Sequence, residues 1–115
     1  MKVEESYIVG LIDGEGTINL VKYPDGRIRP QVLIFNTHRK ILEIIKKQLN
    51  LTAPILKTSR VNNDKIKRKR ITYRLQIRSK EDIKKIFNIF EKYPPIIKRK
   101  DYKKVRKFVI SWLTT

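Results

Sequence analysis

The sequence predicts one α+β domain, residues 1–115, built as an αββαββα(α) chain. The expected architecture is an open antiparallel four-stranded sheet with helices on one face and a bare basic saddle face on the other. Apolar residues recur at the helical period in some stretches and at period two in others, in the order helix, hairpin, helix, hairpin, helix, helix. The strand-like stretches come in pairs joined by short turns, which antiparallel neighbours allow and parallel ones do not. One face of each pair is apolar and the other carries arginine, asparagine, glutamine and threonine, so the sheet is covered on one side only. A chain of 115 residues can bury one such core.

Taken in order, Met1 to Glu5 is a polar lead, and Tyr7 to Ile12 is a helical stretch apolar on nearly every side. Gly16 is expected to close it in the left-handed conformation. Thr17–Tyr23 and Ile28–Phe35 are strands around the turn residues Pro24, Asp25, Gly26 and Arg27. Ile18, Leu20, Val32 and Ile34 share one face of this hairpin. Asn36 and Thr37 can cap a helix from His38 to Asn50 whose stripe is Ile41, Leu42, Ile45 and Leu49. A strand from Ala53 to Val61, a turn at Asn62, Asn63 and Asp64, and a strand from Lys69 to Arg78 form the second hairpin. In its second strand Ile71, Tyr73, Leu75 and Ile77 alternate with arginine, threonine and glutamine. Ser79 and Asp82 resemble a capping box for a helix carrying Ile83, Ile86, Phe87 and Phe90, which Tyr93, Pro94 and Pro95 end. The last helix, Lys100 to Leu113, turns Tyr102, Val105, Val109 and Trp112 inward.

The first helix breaks two local rules. Gly10 and Gly14 lie four apart on one side, where a missing side chain admits another backbone. Asp13 and Glu15 place carboxylates at a helix C-terminus, where the dipole favours cations. Breaks of this kind mark functional sites, and a divalent cation with hard oxygen ligands would turn the repulsion into attraction.

Composition narrows the chemistry. The chain has 28 Lys plus Arg against 11 Asp plus Glu, a formal net charge of +17. Such an excess implies a polyanionic partner, and the residue types on the bare face point to nucleic acid without saying which kind. No cysteine is present and His38 is the single histidine, so thiolate metal sites and serine–histidine catalysis are excluded as readings. His38 itself reads as a surface histidine at a helix start. No apolar run approaches the length of a membrane span and no signal pattern opens the chain, so neither a membrane partner nor a secreted location is expected; a small-molecule substrate is not expected either. The expected location is intracellular, in a prokaryotic cytoplasm or an organelle.

On the bare face the first hairpin offers Asn19, Val21, Tyr23, Arg27, Arg29, Gln31 and Leu33 for DNA contact. The second offers Lys57, Ser59, Arg70, Thr72, Arg74, Gln76 and Arg78. From Lys57 to Arg78 nine residues are basic and Asp64 alone is acidic, whereas solubility by itself is served by mixed signs.

The run Ile8-Val9-Gly10-Leu11-Ile12-Asp13-Gly14-Glu15-Gly16 resembles the signature of the LAGLIDADG homing endonucleases, single-motif homodimeric class. The resemblance implies a homodimer packed through its motif helices, with Val9, Gly10, Ile12, Asp13 and Gly14 at the interface. It implies a homing endonuclease, intron-encoded in many relatives, that cuts both strands of a long, near-palindromic duplex by metal-dependent hydrolysis. Glu15, with the Gly14 carbonyl, matches the ligand of Mg²⁺ (or Mn²⁺); Asp13 matches an acid with a more structural role. Asn36 matches a polar position near the metal and water network. Lys98 matches the basic residue near the scissile phosphate, with Lys100 as the alternative and a further DNA contact. Two departures from the pattern stand out: Glu replaces the commoner Asp at position 15, and no extension follows the last helix. A non-cutting DNA-binding regulator or intron RNA maturase on the same scaffold is the competing expectation.

Overall fold

The computed structural model describes residues 1–62 and 68–114, with side chains for residues 1–58 and 71–114. Helix α1 spans Glu5–Glu15, strands β1 and β2 span Gly16–Lys22 and Ile28–Asn36, and α2 spans Arg39–Leu49. Strands β3 and β4 span Ile55–Asn62 and Arg68–Ile77, followed by α3 at Lys80–Lys92 and α4 at Arg99–Leu113. The strands form one antiparallel sheet of order β1-β2-β4-β3. The expected αββαββα(α) order and four-stranded open sheet are what the chain adopts. Of the expected turn at Asn62, Asn63 and Asp64, the last two lie outside the described residues.

Register decides which side chains meet the helices. Ile18 pairs with Val32, Val32 with Ile77, and Ile34 with Leu75, and all of these are buried. Helix α1 lays Ile8, Val9 and Ile12 onto this layer, α2 adds Leu42 and Ile45, and α3 adds Ile83, Ile86 and Phe90. Tyr102 of α4 completes an aromatic group with Phe87 and Phe90, its ring centroid 5.9 and 5.3 Å from theirs.

The structure corrects several local expectations. Val9 and Ile12 are 6% and 0% exposed, because α1 spends them on its own core, so they do not belong to an interface. Gly16 is extended, with φ −112°, not left-handed. Glycine is required there for space: a Cβ would stand 2.6 Å from the Leu33 carbonyl oxygen and 2.7 Å from that of Ile12. The left-handed stop occurs at Asn50, which ends α2 with φ 51°. His38, not Asn36 or Thr37, is the N-cap residue of α2, and the Asn36 side chain accepts the His38 N–H at 2.8 Å.

The capping box of α3 is half formed. Ser79 Oγ accepts the Asp82 N–H at 3.2 Å, while the buried Asp82 carboxylate turns to the backbone N–H and hydroxyl of Thr52. That carboxylate ties the start of α3 to the chain leaving α2.

Gly16→Ala should cost about 3 kcal/mol, the upper end of the usual overpacking penalty, because the obstructing atoms are backbone on both sides. Denaturant midpoints at constant slope measure it. A variant as stable as wild type would show that the junction of α1 and β1 relaxes freely.

Candidate functional site

The end of α1 is the most heavily tied point of the described chain. Asp13 is buried, and its carboxylate collects three backbone donors from the turn that opens α4. The Ile96 and Ile97 N–H groups donate to Oδ2 at 2.8 and 3.0 Å, and the Lys98 N–H donates to Oδ1 at 2.8 Å. Lys98 Nζ donates to the Asp13 carbonyl oxygen at 2.6 Å, satisfying one of the unpaired acceptors of the helix end. Burial raises the Asp13 pKa, and the three N–H donors with the Lys98 charge outweigh it, holding the carboxyl below its ordinary value of 3.8. The carboxylate that opposes the α1 dipole is thereby matched to the positive start of α4. Asp13 is consequently consumed inside the protomer, a correction to its expected place at an interface.

Glu15 stands two residues further on, exposed, and no side chain among the described residues bonds its carboxylate. Lys98 is the lysine whose ammonium reaches α1; Lys100 is exposed on the first turn of α4. Asn36, paired with Tyr73, lies at the end of β2 with its Oδ1 already engaged by His38 and its NH₂ available to donate. Gly14, whose carbonyl is one of the last four of α1, is exposed. Among the described residues no three His, Cys, Asp or Glu side chains gather at one point.

The outer side of α1 is bare. Tyr7, Gly10 and Gly14 are exposed and Leu11 is half-buried. A Cβ built at Gly10 or Gly14 would meet nothing within 4 Å. Glycine inside a helix costs roughly 1 kcal/mol relative to alanine, and no neighbour among the described residues crowds either position.

The uncovered sheet face carries Asn19, Val21, Arg29, Gln31, Leu33, Arg74 and Gln76, as the alternation predicts, and Arg78, just past β4, bonds Gln31 on that face. Some of its polar groups are occupied. Gln31 is 5% exposed; its Oε1 accepts from Arg78 Nε and its Nε2 donates to Asn19 Oδ1 at 3.1 Å. Thr72 is 7% exposed and its carbonyl accepts the Thr58 hydroxyl at 3.0 Å. Gln31 and Thr72 are therefore supports of the face and not groups free to read bases, contrary to expectation. Lys57 pairs with Tyr73 and Ser59 with Ile71, so both positions belong to the helix side; Leu56 and Thr58 occupy the outer side in their place. Side chains 59–70, including Ser59 and Arg70, lie outside the described residues. Arg27 sits in the first hairpin turn, ion-paired with Asp25, next to Gly26 at φ 91°.

Sequence reasoning missed the donors from Ile96, Ile97 and Lys98, since only an unmatched carboxylate at residue 13 hinted that a helix start must come to it. Trp112 was read as core alone. It is half-buried and carries Arg29 and Lys80 over its ring, 5.8 and 5.6 Å from the centroid.

The family model of the LAGLIDADG endonucleases matches residues 8–109. The crystal structure of a homing endonuclease, I-TnaI, is 27% identical with a TM-score of 0.67, covering 96% of this chain and 74% of that one. The LAGLIDADG homing endonuclease I-GzeII, solved in complex with its DNA target, is 27% identical with a TM-score of 0.73; 98% of this chain aligns with 37% of that one. The archaeal intron-encoded homing endonuclease I-Vdi141I, complexed with DNA, shares the fold at 24% identity and a TM-score of 0.72, over 96% of this chain and 69% of that one. No curated protein matches the chain. No helix among the described residues is long and apolar enough to cross a membrane.

Asp13→Asn should lose about 2 to 3 kcal/mol of stability at pH 7, since charge-assisted bonds to three amides become neutral ones. The folded pKa is depressed, so the contribution of Asp13 is complete above its ordinary pKa of 3.8 and is lost as pH falls through the folded value. The gap between wild type and variant, from unfolding curves at a series of pH values, should narrow on acidification below about pH 4. A gap independent of pH would remove the electrostatic account of this joint.

Proposed function

The chain belongs to the LAGLIDADG endonuclease family, matched over residues 8–109, and from that premise we propose that it is a homing endonuclease acting as a homodimer on duplex DNA. Each protomer cuts one strand of a long, near-palindromic site by metal-dependent phosphodiester hydrolysis. The observation that carries this reading is Glu15, an exposed carboxylate with no partner among the described residues, held at the end of a helix by the Asp13 joint. A side chain that supports neither packing nor an ion pair, on so rigid a mount, is positioned for chemistry.

The donors at this point fit a hard divalent ion. Glu15 and the Gly14 carbonyl would hold Mg²⁺ or Mn²⁺, with further oxygens from the phosphate and from a second copy of Glu15. Such an ion, when bound, supplies charge stabilisation and a water of lowered pKa. Lys98 brings a fixed ammonium to the same helix end, where it would face charge growing on the scissile phosphate. The Asn36 NH₂ would orient a water or a phosphate oxygen. Arg74, Gln76 and Arg78 with Asn19 and Arg29 would lie along a major groove, the arginines reading guanine edges.

One carboxylate site serves one strand, so two strands call for two protomers. The glycines of α1 supply the contact: two copies packed through Tyr7, Gly10, Leu11 and Gly14 could approach closely about a two-fold axis that sets their Glu15 side chains side by side. Ile96 and Ile97, pinned beside α1 by Asp13 and 78% and 77% exposed, extend that apolar surface. The non-cutting regulator or maturase draws support from the fact that no three His, Cys, Asp or Glu side chains gather at one point among the described residues. Incubation with a library of DNA sites and Mg²⁺ separates the two readings.

Gly10→Leu should convert the dimer to a monomer and abolish double-strand cutting, because a leucine side chain at that position wedges the helices apart. Sedimentation checks it, and a variant that still sediments as a dimer would place the interface elsewhere. Glu15→Gln should lower cleavage by several orders of magnitude while affinity for the site stays equal or rises, as repulsion between carboxylate and phosphate is removed. Full cleavage by Glu15→Gln on a site cut by wild type would leave the non-cutting reading standing.

A further inference from the structure

Asn19, Gln31 and Arg78 stand in one row across three strands. Asn19 of β1 is paired with Gln31 of β2, and the pairing of Val32 with Ile77 sets Gln31 opposite Arg78, the residue just past β4. A chain of side-chain bonds runs along the row: Arg78 Nε donates to Gln31 Oε1, and Gln31 Nε2 donates to Asn19 Oδ1 at 3.1 Å. Gln31, at the centre, is buried, while Asn19 and Arg78 at the two ends are exposed.

One member fixes the direction of this chain. A guanidinium has donors and no acceptor, so the atom that Gln31 turns toward Arg78 is its oxygen. The other prong of the same amide is then an NH₂, which only an acceptor can meet, and Asn19 is obliged to turn its oxygen inward. Reversing either amide would set donor against donor beside a buried group, which costs the hydrogen bond and leaves that group unsatisfied. Asn19 is thus left with its NH₂ outward, and among the described residues no group accepts from it. The cation at one end of the row sets the hydrogen-bond polarity at the other.

An asparagine with both prongs free is the partner of adenine, whose N7 accepts and whose N6 donates in the major groove. Asn19 does not present both prongs, because its oxygen is directed along the sheet to Gln31. A base edge made of acceptors matches it: guanine offers N7 and O6 and thymine offers O4, whereas cytosine offers only the N4 donor. We propose that Asn19 is a specificity-determining residue that selects guanine or thymine over adenine and cytosine at the base to which each protomer brings it, with Gln31 and Arg78 as the residues that position it. The inference rests on the DNA-binding reading above, with the uncovered face in a major groove, and adds which base edge one residue reads and why.

The test selects bound duplexes from a randomised DNA library, without divalent cation so that binding alone is read, using the full chain as wild type, Asn19→Ala, Gln31→Leu and Arg78→Glu. Asn19→Ala locates the base in question, as the position where preference disappears. There wild type should favour guanine or thymine about fivefold, the worth of roughly one net hydrogen bond. Gln31→Leu keeps the buried site filled and removes the chain, so Asn19 can offer both prongs and the preference should move to adenine. Arg78→Glu puts an acceptor at the end of the row, which reverses both amides and turns the Asn19 oxygen outward. Preference at the same base should then move to an edge that donates, adenine or cytosine, while overall affinity falls with the lost cation. A merely structural role for Gln31 would weaken all sequences alike and leave the preference in place. Should either variant fail to fold or bind, the wild-type preference and the remaining variant decide. A wild type that favours adenine or cytosine there, a preference unchanged in Gln31→Leu or Arg78→Glu, or an Asn19→Ala that loses no preference overturns this inference and spares the DNA-binding reading. Absence of duplex binding by wild type overturns both.

Discussion

Asp13 sets the geometry on which the other functional features depend. A carboxylate at the C-terminal end of α1 is opposed by the helix dipole and by burial, and it persists because the start of α4 delivers three amides and an ammonium to it. The joint runs in both directions. It closes the negative end of one helix, opens the positive end of another, and fixes Lys98 against the backbone that Glu15 follows. Removal of the carboxylate would leave three buried or half-buried donors to find water, whereas removal of Glu15 would disturb no bond among the described residues. The two acids of the motif, Asp13 and Glu15, are therefore divided by environment, one engaged in the joint and one without a side-chain partner among the described residues.

A similar division holds across the sheet. On the helix side Val32, Ile34, Leu75 and Ile77 fix register through shape, since a one-residue slip would turn all of them to solvent. On the other side the long polar side chains are held by one another: Gln31 bridges Asn19 and Arg78, and Thr58 bonds the backbone of Thr72. Ordering an arginine in advance lowers the entropy lost when it meets a base or phosphate. On the proposed DNA-binding reading, the buried glutamine would contribute to binding without touching the ligand, through the arginine it orients.

The order of elements is legible in the sequence because it rests on local period: Ile71, Tyr73, Leu75 and Ile77 leave no doubt about β4, nor do Ile83, Ile86 and Phe90 about α3. The polarity of the sheet and the exposure of Gly10, Gly14 and Glu15 follow from the same periodicity. Strand β3 is illegible in this way, since adjacent apolar residues Ile55 and Leu56 precede a polar run, and either parity satisfies it; Lys57 falls on the helix side for that reason. Contacts between distant segments are illegible for a different reason. Nothing near residue 13 says that residues 96–98 come to it, and nothing near Gln31 says that Arg78 is its neighbour. Gly16 was read for its φ freedom when the constraint was space beside Leu33, a distinction that only the meeting of two strands creates.

On the proposed reading, the chemistry of the site is separable from the scaffold that holds Glu15. Its side chain carries no share of the core, the joint or the uncovered face, so exchanging it alters chemistry at little expense in stability. Gly10 and Gly14 are in the opposite position, since each is unfavourable to its own helix and a Cβ built there meets nothing within 4 Å among the described residues. A scaffold that had abandoned dimerisation would be expected to fill both positions with alanine or larger residues, because nothing within 4 Å opposes it. In the proposed two-fold assembly a second backbone packed against them would offset that cost and bring two Glu15 carboxylates together across the axis.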